Sequence, residues 1–266
     1  MKAEFNHARR PVPGVKDMVA VASGKGGVGK STLSASLALA LAGGGLRVGV
    51  LDADLYGPNL PGILGISGPA GMAADGTTLL PVEGHGLRLL SMGLLVERGV
   101  PVIWRGPMLA KMINRFLFQA DWGPLDVLVL DLPPGTGDVQ LTLTQTAPLS
   151  GAIIVTTPSP LALADVRRSI AMCRQTGTPI WGLVENMSTF VCHRCGHATP
   201  VFGTGGSQNL AAACGLPLLA SIPLAPGLRQ AADTGRIQAA LSDAPEAQAI
   251  HHLAAAVRSR LQQGTA

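Results

Sequence analysis

The stretch that decides the fold is Gly24-Lys25-Gly26-Gly27-Val28-Gly29-Lys30-Ser31-Thr32. Gly24 and Gly29-Lys30-Ser31 stand at the spacing of the phosphate-loop pattern. The apolar run Met18–Ala22 before the loop predicts a buried strand. Leu33–Ala42 after it is rich in Ala and Leu and predicts a helix. A strand, a glycine-rich loop and a helix in this order predict a site for phosphate groups.

Each residue type in the loop suits an anionic ligand. The glycines allow backbone conformations that a side chain would block, and their N–H groups, with the N-terminus of the helix, face an anion. We expect Lys30 to bridge the outer phosphates, Ser31 to hold Mg²⁺ through its hydroxyl, and Thr32 to reach an inner phosphate. The predicted nucleotide-binding residues of the loop are Gly24, Lys25, Gly26, Gly27, Val28, Gly29, Lys30, Ser31 and Thr32.

The composition predicts one large α/β domain with an aliphatic core. The chain has 266 residues, of which 47% are hydrophobic and 3% aromatic, enough for a sizeable core. Charged residues are 14% of the chain, which is low for a fully solvated surface and favours an apolar face covered by a second subunit. The net charge of +4 is too small and too scattered to predict a nucleic-acid partner.

The sequence also predicts a cytoplasmic protein. No run reaches the roughly 18 apolar residues of a membrane span, so no membrane partner is expected. Residues 1–16 have no secretory apolar core and are expected to form a flexible N-terminal lead-in. Residues 17–266 are then a single phosphate-loop ATPase domain. In the cytoplasm the four cysteines should be mostly reduced.

Strands and helices alternate along the chain. Further strands are predicted at Arg47–Leu51, Val127–Leu130, Ala152–Thr156, Ile180–Val184 and Leu218–Ile222, with a hairpin formed by Leu79–Pro81 and Leu87–Met92. Further helices are predicted at Pro107–Phe118, Ala162–Arg174, Ser207–Cys214 and Glu246–Leu261. This alternation predicts a three-layer α/β/α P-loop NTPase fold, a mostly parallel sheet with helices on both faces. Ligands bind such sheets at the carboxyl ends of the strands.

Three aspartates are expected at that end of the sheet. Asp52 and Asp54 follow a strand two positions apart, so on extended backbone both would point to one side. Asp54 could orient or deprotonate a water, and Asp52 could support it or steady the metal shell. Asp131 ends a buried strand and is expected to reach Mg²⁺ through a water. Asp138 is expected to cap the helix that follows.

Four segments together resemble the Mrp/ApbC family of ATP-dependent iron–sulfur cluster carriers, within the wider group of phosphate-loop ATPases that includes MinD and ParA. They are the phosphate loop with its flanks (Val21–Thr32), Leu51–Asn59, Trp104–Met108 and Asp131–Asp138. The resemblance runs from about Val15 to about Gly235. The segments Asp54-Leu55-Tyr56-Gly57-Pro58-Asn59 and Trp104-Arg105-Gly106-Pro107 are far more specific to that family than the phosphate loop is.

The resemblance implies roles for particular residues. Lys25 resembles the lysine that reaches the partner's nucleotide across a dimer, and a cation there would stabilise transition-state charge. The catalytic residues implied are Lys25, Lys30 and Asp54, and the magnesium residues are Ser31, Asp54 and Asp131. Asn186 is similar to asparagines that contact adenine in relatives, although a buried Asn at a strand end has the same sequence pattern. An ATPase that binds ATP and Mg²⁺ is therefore implied.

Cys192-His193-Arg194-Cys195 is the second feature that bears on function. One such pair supplies two thiolates and cannot complete four-coordinate iron or zinc. A redox dithiol, a zinc site with His197 as a third ligand, and a site shared by two copies about a two-fold axis all remain open from spacing. Cys173 and Cys214 have no nearby partner in sequence and are expected to be small core residues.

The resemblance implies that Cys192 and Cys195 of two copies hold a bridging [4Fe–4S] cluster at a homodimer interface. The implied partners are a cluster donor scaffold and apo iron–sulfur proteins as recipients. Two alternatives remain: an ATPase dimer bridged by structural zinc, and a MinD-like or ParA-like positioning switch. The second alternative leaves the cysteine pair unexplained, and His251–Gln263 lacks the aromatic or bulky apolar anchors of a membrane-binding helix.

Overall fold

The core of the protein is an eight-stranded sheet in a computed structural model that describes residues 9–96, 106–242 and 244–264. The strands are β1 Val15–Ser23, β2 Val48–Asp52, β3 Gly71–Met72, β4 Leu79–Leu80, β5 Val82–Gly84, β6 Leu87–Ser91, β7 Leu125–Asp131, β8 Gly151–Thr156, β9 Ile180–Asn186, β10 Phe190–Val191, β11 Ala198–Thr199 and β12 Leu218–Ile222. The large sheet has the order β12-β9-β8-β1-β7-β2-β6-β5, and β3-β4 and β10-β11 form separate two-stranded sheets. Within the large sheet the β5-β6 pair is antiparallel and the other pairs are parallel.

Helices cover both faces of this sheet. They are α1 Lys30–Gly43, α2 Leu60–Leu64, α3 Gly106–Phe118, α4 Asp138–Thr146, α5 Pro160–Gln175, α6 Gly206–Ala213, α7 Pro226–Asp233 and α8 Pro245–Gln263. Side chains alternate along β1: Val19 and Val21 pack with α1 and α8, whereas Met18, Ala20 and Ala22 pack with α3 and α4. Because successive strand residues point to opposite faces, these two clusters lie on opposite sides of the sheet. The predicted three-layer α/β/α fold is confirmed.

The hairpin was predicted with the wrong partner. Leu79–Leu80 pairs with Gly71–Met72, and it is Val82–Gly84 that pairs with β6. The turn uses His85 and Gly86, both with positive φ (54° and 75°), as a tight two-residue hairpin requires. The prediction for Asp138 is also wrong, because Gly137 is the N-cap of α4 and Asp138 lies in its first turn.

The domain begins earlier than the predicted boundary at residue 17. The strand β1 starts at Val15, Val12 is buried, and the backbone N–H of Arg10 donates to the carbonyl of Thr146 at 3.0 Å. Residues 9–16 therefore pack on the domain and are not a free lead-in. Residues 1–8, like Trp104 and Arg105 of the family segment, lie outside the described residues.

In the described part of the chain, none of the helices combines the length and the apolar character needed to cross a bilayer.

Candidate nucleotide site and cysteine loop

Three neighbouring strands bring the predicted site residues to one edge of the sheet. Asp52 at the end of β2 is paired in register with Asp131 at the end of β7, and Asp131 is paired with Val21 of β1. The glycine-rich loop leaves β1 two residues later and enters α1 at Lys30. The loop, the two aspartates and the N-terminus of a buried helix therefore meet where a parallel sheet binds its ligands.

The loop backbone depends on its glycines. Gly27 and Gly29 have φ of 80° and 82°, a left-handed region that side chains disfavour. Gly24 lies so close to α5 that a Cβ there would be 2.5 Å from the carbonyl carbon of Asp165. A loop of this shape with exposed N–H groups beside a helix N-terminus fits a polyphosphate.

Lys30, Ser31 and Asp131 form one hydrogen-bonded cluster. Nζ of Lys30 is 2.6 Å from Oδ1 of Asp131, and Oγ of Ser31 donates to Oδ2 of the same carboxylate at 2.6 Å. Lys30 is 6% and Asp131 1% exposed, so this ion pair is shielded from water. The residues that would bind phosphate and Mg²⁺ are thus already assembled around Asp131. A third donor was missed from the sequence: Oγ of Ser34 lies 2.7 Å from Oδ1 of Asp131.

Asp52 is buried, and its carboxylate is hydrogen-bonded to the loop that follows β2. Its carboxylate accepts from the N–H groups of Asp54 and Leu60, each at 3.2 Å, and from the hydroxyl of Ser91 at 3.0 Å. Burial raises the pKa of Asp52 to about 7, and the charge of Asp131 acts in the same direction. No local pattern points to Ser91, because its contact with Asp52 depends on the β2-β6 register.

Asp54 lies beyond the end of β2, which stops at Asp52. It is half-buried, and its Oδ1 accepts from the N–H of Gly57 at 3.2 Å. Within the described residues, the hydrogen bonds of Asp54 join it to Asp52 and Gly57 and not to Lys30, Ser31 or Asp131. Asp54 borders a groove together with Tyr56, Pro133, Pro134 and Asp138.

The other predicted loop residues, Lys25 and Thr32, are half-buried, and the carbonyl of Lys25 accepts from the Ser23 hydroxyl at 3.0 Å. Asn186, at the end of β9, contacts the phosphate loop directly. Its Nδ2 donates to the carbonyl of Val28 at 2.9 Å, and a Cβ on Gly29 would lie 2.3 Å from the same atom. The side-chain oxygen of Asn186 is thereby left as the group that could accept from a ligand.

Cys192 and Cys195 lie in the turn between β10 and β11. The turn is closed by hydrogen bonds from the Cys192 N–H to His197 and from the Gly196 N–H to Cys192, at 2.9 and 2.8 Å. Cys195 is exposed and Cys192 half-buried. Backbone N–H groups of Arg194 and Cys195, and the Cys195 side chain, lower the pKa of the Cys192 thiol. A lowered thiol pKa favours the thiolate form that binds metals.

Across the described residues, no group of three or more His, Cys, Asp or Glu side chains is placed to hold a metal ion. Cys173 is buried as expected, and burial raises the pKa of its thiol to about 11. Cys214 is only half-buried.

The fold and the loop geometry define the class of protein: a phosphate-loop NTPase. Within that class, the family model described as ParA, NUBPL iron-transfer P-loop NTPase, matches residues 14–258. The chain belongs to this family. The resemblance of the sequence to cluster-carrier ATPases is thereby confirmed.

Named relatives and solved structures agree with this assignment. The chain is 49% identical to an iron–sulfur cluster carrier protein of Pseudomonas fragi over 86% of this chain and 81% of that one. It is 49% identical to the protein of the same name from Aquifex aeolicus over 85% of this chain and 63% of the relative. The iron–sulfur cluster transfer protein NUBPL of Mus musculus is 43% identical over 96% of this chain and 80% of its own length.

Among solved structures, a nucleotide-binding protein of Archaeoglobus fulgidus in complex with ADP superposes with a TM-score of 0.74. It is 40% identical, and the match covers 84% of this chain and 88% of that one. The cell division ATPase MinD of Pyrococcus furiosus superposes with a TM-score of 0.66 at 22% identity, covering 91% of this chain and 98% of that one. The similarity to MinD concerns the fold alone.

Proposed function

We propose that this protein is a cytoplasmic ATP-dependent carrier of iron–sulfur clusters. Two copies hold one [4Fe–4S] cluster as cargo between their cysteine pairs, receive it from a donor scaffold and pass it to apo iron–sulfur proteins. The names of the relatives in bacteria and mouse support carriage and transfer of a cluster. The ADP complex of the Archaeoglobus fulgidus protein supports nucleotide binding at this fold.

The residues at the sheet edge suit Mg²⁺-ATP. Lys30 would neutralise charge on the outer phosphates, while Ser31 would bind Mg²⁺ through its hydroxyl and Asp131 through a water. Asp54 would orient the attacking water and Lys25 of a second copy would add positive charge near the terminal phosphate. The Asn186 side-chain oxygen suits the amino group of adenine. Bound Mg²⁺ supplies charge neutralisation during phosphoryl transfer.

One observation carries the link between nucleotide and cargo. Asn186 contacts the phosphate loop through Val28, and the same segment continues through Ser188, whose N–H donates to Ile222 at 3.0 Å, to Cys192. Cys192 therefore follows Asn186, the residue that contacts the phosphate loop, by only six positions. A change at the nucleotide site has a short covalent path to the cargo site, which is what nucleotide-controlled release needs.

The cysteine turn suits a site completed by a second copy. One chain offers two thiolates, and the described residues place no third ligand beside them. A two-fold axis beside the turn would supply four thiolates, the ligand set of a [4Fe–4S] cluster. Val191 in β10, and Val201 and Phe202 after β11, are exposed apolar side chains that a second copy would cover. A cluster shared in this way can be released when the subunits separate.

The same ligand set could hold zinc, so metal analysis is the test. The protein is reconstituted anaerobically with iron and sulfide, and iron, sulfide and zinc are counted per pair of chains. We expect iron and sulfide in the wild type, loss of both in Cys192→Ala, and no loss in the matched variant Cys214→Ala. Zinc without iron or sulfide in the wild type would contradict the proposal.

A further inference from the structure

Ser34 has no role in the nucleotide machinery described above, yet it contacts the same carboxylate as Lys30 and Ser31. It is fully buried on α1. Its Oγ lies 2.7 Å from Oδ1 of Asp131 and 3.0 Å from the carbonyl oxygen of Lys30. A hydroxyl has one proton to donate, and the shorter contact with a charged acceptor is the stronger one. Ser34 therefore donates to Asp131.

The three donors to Asp131 differ in whether bound Mg²⁺ and ATP would offer them another partner. Under the proposed function, Lys30 turns to the phosphates and Ser31 turns to Mg²⁺. Lys30 then gives up its 2.6 Å contact with Asp131, whereas Ser31 would bind Mg²⁺ through an oxygen lone pair and keep its proton for Asp131. Ser34 lies one helical turn further along α1 and has no ligand to bind, so it can keep its contact in both states.

We propose that Ser34 is a positioning residue that holds Asp131 in place when Lys30 leaves it, because both contact Oδ1 of that carboxylate. This inference rests on the proposed function, since it needs the site to bind Mg²⁺ and ATP. Asp131 is 1% exposed, and a buried carboxylate that loses its donors is costly and poorly oriented. Partners that orient metal-binding groups commonly change metal affinity by about 10- to 100-fold when removed.

The neighbouring carboxyl group of Asp52 makes the hydrogen bond from Ser34 to Asp131 more important. Asp52 and Asp131 end adjacent strands and are paired in register. Two carboxyl groups so placed repel each other when both are charged. The hydrogen bond from Ser34 on α1 stabilises the charge of Asp131 beside Asp52.

Ser36 provides a matched control on the same helix. Its hydroxyl is also buried, but it donates to the carbonyl of Thr32 at 2.8 Å and not to a carboxylate. Ser34→Ala and Ser36→Ala therefore remove the same group from the same helix. Only the first removes a donor from Asp131.

The test is a titration of Mg²⁺ against binding of an ATP analogue with a fluorescent group on its ribose. We expect Ser34→Ala to raise the Mg²⁺ concentration for half-maximal binding by about tenfold. Binding of the analogue in the presence of EDTA should match that of the wild type, and Ser36→Ala should follow the wild type in both conditions. A Ser34→Ala curve that overlays the wild type, or an equal shift in Ser36→Ala, would overturn the inference.

Thermal unfolding of each variant shows whether it is folded. If Ser34→Ala does not fold, Ser34→Cys keeps the size of the side chain and replaces the hydroxyl with a weak donor, and the same shift is expected. A wild type without Mg²⁺-dependent binding would overturn the proposed function and this inference with it. Normal wild-type binding with an unshifted Ser34 variant would overturn the inference alone.

Discussion

Lys30 and Asp131 form a buried ion pair, with Nζ of the lysine 2.6 Å from Oδ1 of the aspartate. The pair joins the first residue of α1 to the last residue of β7. Ser31 and Ser34 donate to the same carboxylate. Lys30, the lysine predicted to bind phosphate, is thus also part of the buried interior of the domain.

We expect Lys30→Met to destabilise the nucleotide-free protein as well as to weaken ATP binding. Removing one member of a buried ion pair leaves an uncompensated charge and typically costs about 3–5 kcal/mol. Lys25→Met is the control, because Lys25 is half-buried and its loss should cost less than about 0.5 kcal/mol. Urea unfolding measures both. Equal losses of stability in the two variants would show that the ion pair is not the cause.

Gly29→Ala should cost about 1–2 kcal/mol of stability or more, because the backbone there is left-handed (φ 82°) and the new Cβ would lie 2.3 Å from Nδ2 of Asn186. In Gly26→Ala the nearest atom to the new Cβ is 4.0 Å away, so stability should change by less than about 0.5 kcal/mol. Chemical unfolding of the nucleotide-free variants checks the difference. A larger loss in Gly26→Ala than in Gly29→Ala would refute this description of the loop.

The raised pKa of Asp52 predicts a pH dependence of stability. Between about pH 4 and pH 7 the folded protein keeps a proton on Asp52 that the unfolded chain releases, so stability falls as the pH rises through this window. Relative to Asp52→Asn, the free energy of unfolding of the wild type should fall by up to about 1.4 kcal/mol per pH unit. The free energy of unfolding of both proteins, measured across this range, tests the prediction.

Asp126 serves as a control, because its pKa is shifted in the opposite direction from that of Asp52. Hydrogen bonds from Arg47 lower the pKa of Asp126 to about 2. Its contribution to stability is therefore lost as the pH falls from about 4 to 2. Asp126→Asn should differ from the wild type in pH dependence only in that lower window. A flat difference between wild type and Asp52→Asn from pH 4 to 7 would contradict the buried state of Asp52.

Thiol reactivity should separate the cysteines. Hydrogen bonds from Arg194 and Cys195 lower the pKa of Cys192, whereas burial raises that of Cys173 to about 11. At pH 7.5 iodoacetamide should therefore label Cys192 much faster than Cys173, because the thiolate is the reactive form. Mass spectrometry of peptides gives both rates, and unfolding in urea should remove the difference. Equal labelling rates in the folded protein would contradict a lowered pKa for the Cys192 thiol and a raised pKa for the buried Cys173 thiol.

Local patterns in the sequence predicted the parts of the site that lie within one segment. The strand, loop and helix around Lys30 and the strand that ends at Asp131 are found as predicted, whereas the cysteine pair lies in a turn between two short strands that no pattern predicted. The contacts that define the environment of Asp131 and Asp52 join residues far apart in sequence. Ser34 and Ser91 reach those carboxylates because of helix placement and sheet register, which a single sequence does not specify.

The errors have a similar origin. Leu79–Pro81 was assigned to the hairpin because it precedes β6, but its pairing with Gly71–Met72 depends on a loop that no local pattern reveals. Asp54 lies beyond β2, where the Asp52 carboxylate accepts from the N–H groups of Asp54 and Leu60, contacts that the spacing of the two aspartates does not predict. Such local side-chain to backbone bonds compete with strand pairing.

Native mass spectrometry of the anaerobically reconstituted protein tests directly whether two copies share one cluster. We expect a species with the mass of two chains and one [4Fe–4S] cluster, which Cys192→Ala does not form. A cluster carried by a single chain, or a two-chain species that contains zinc in place of iron and sulfide, would contradict it.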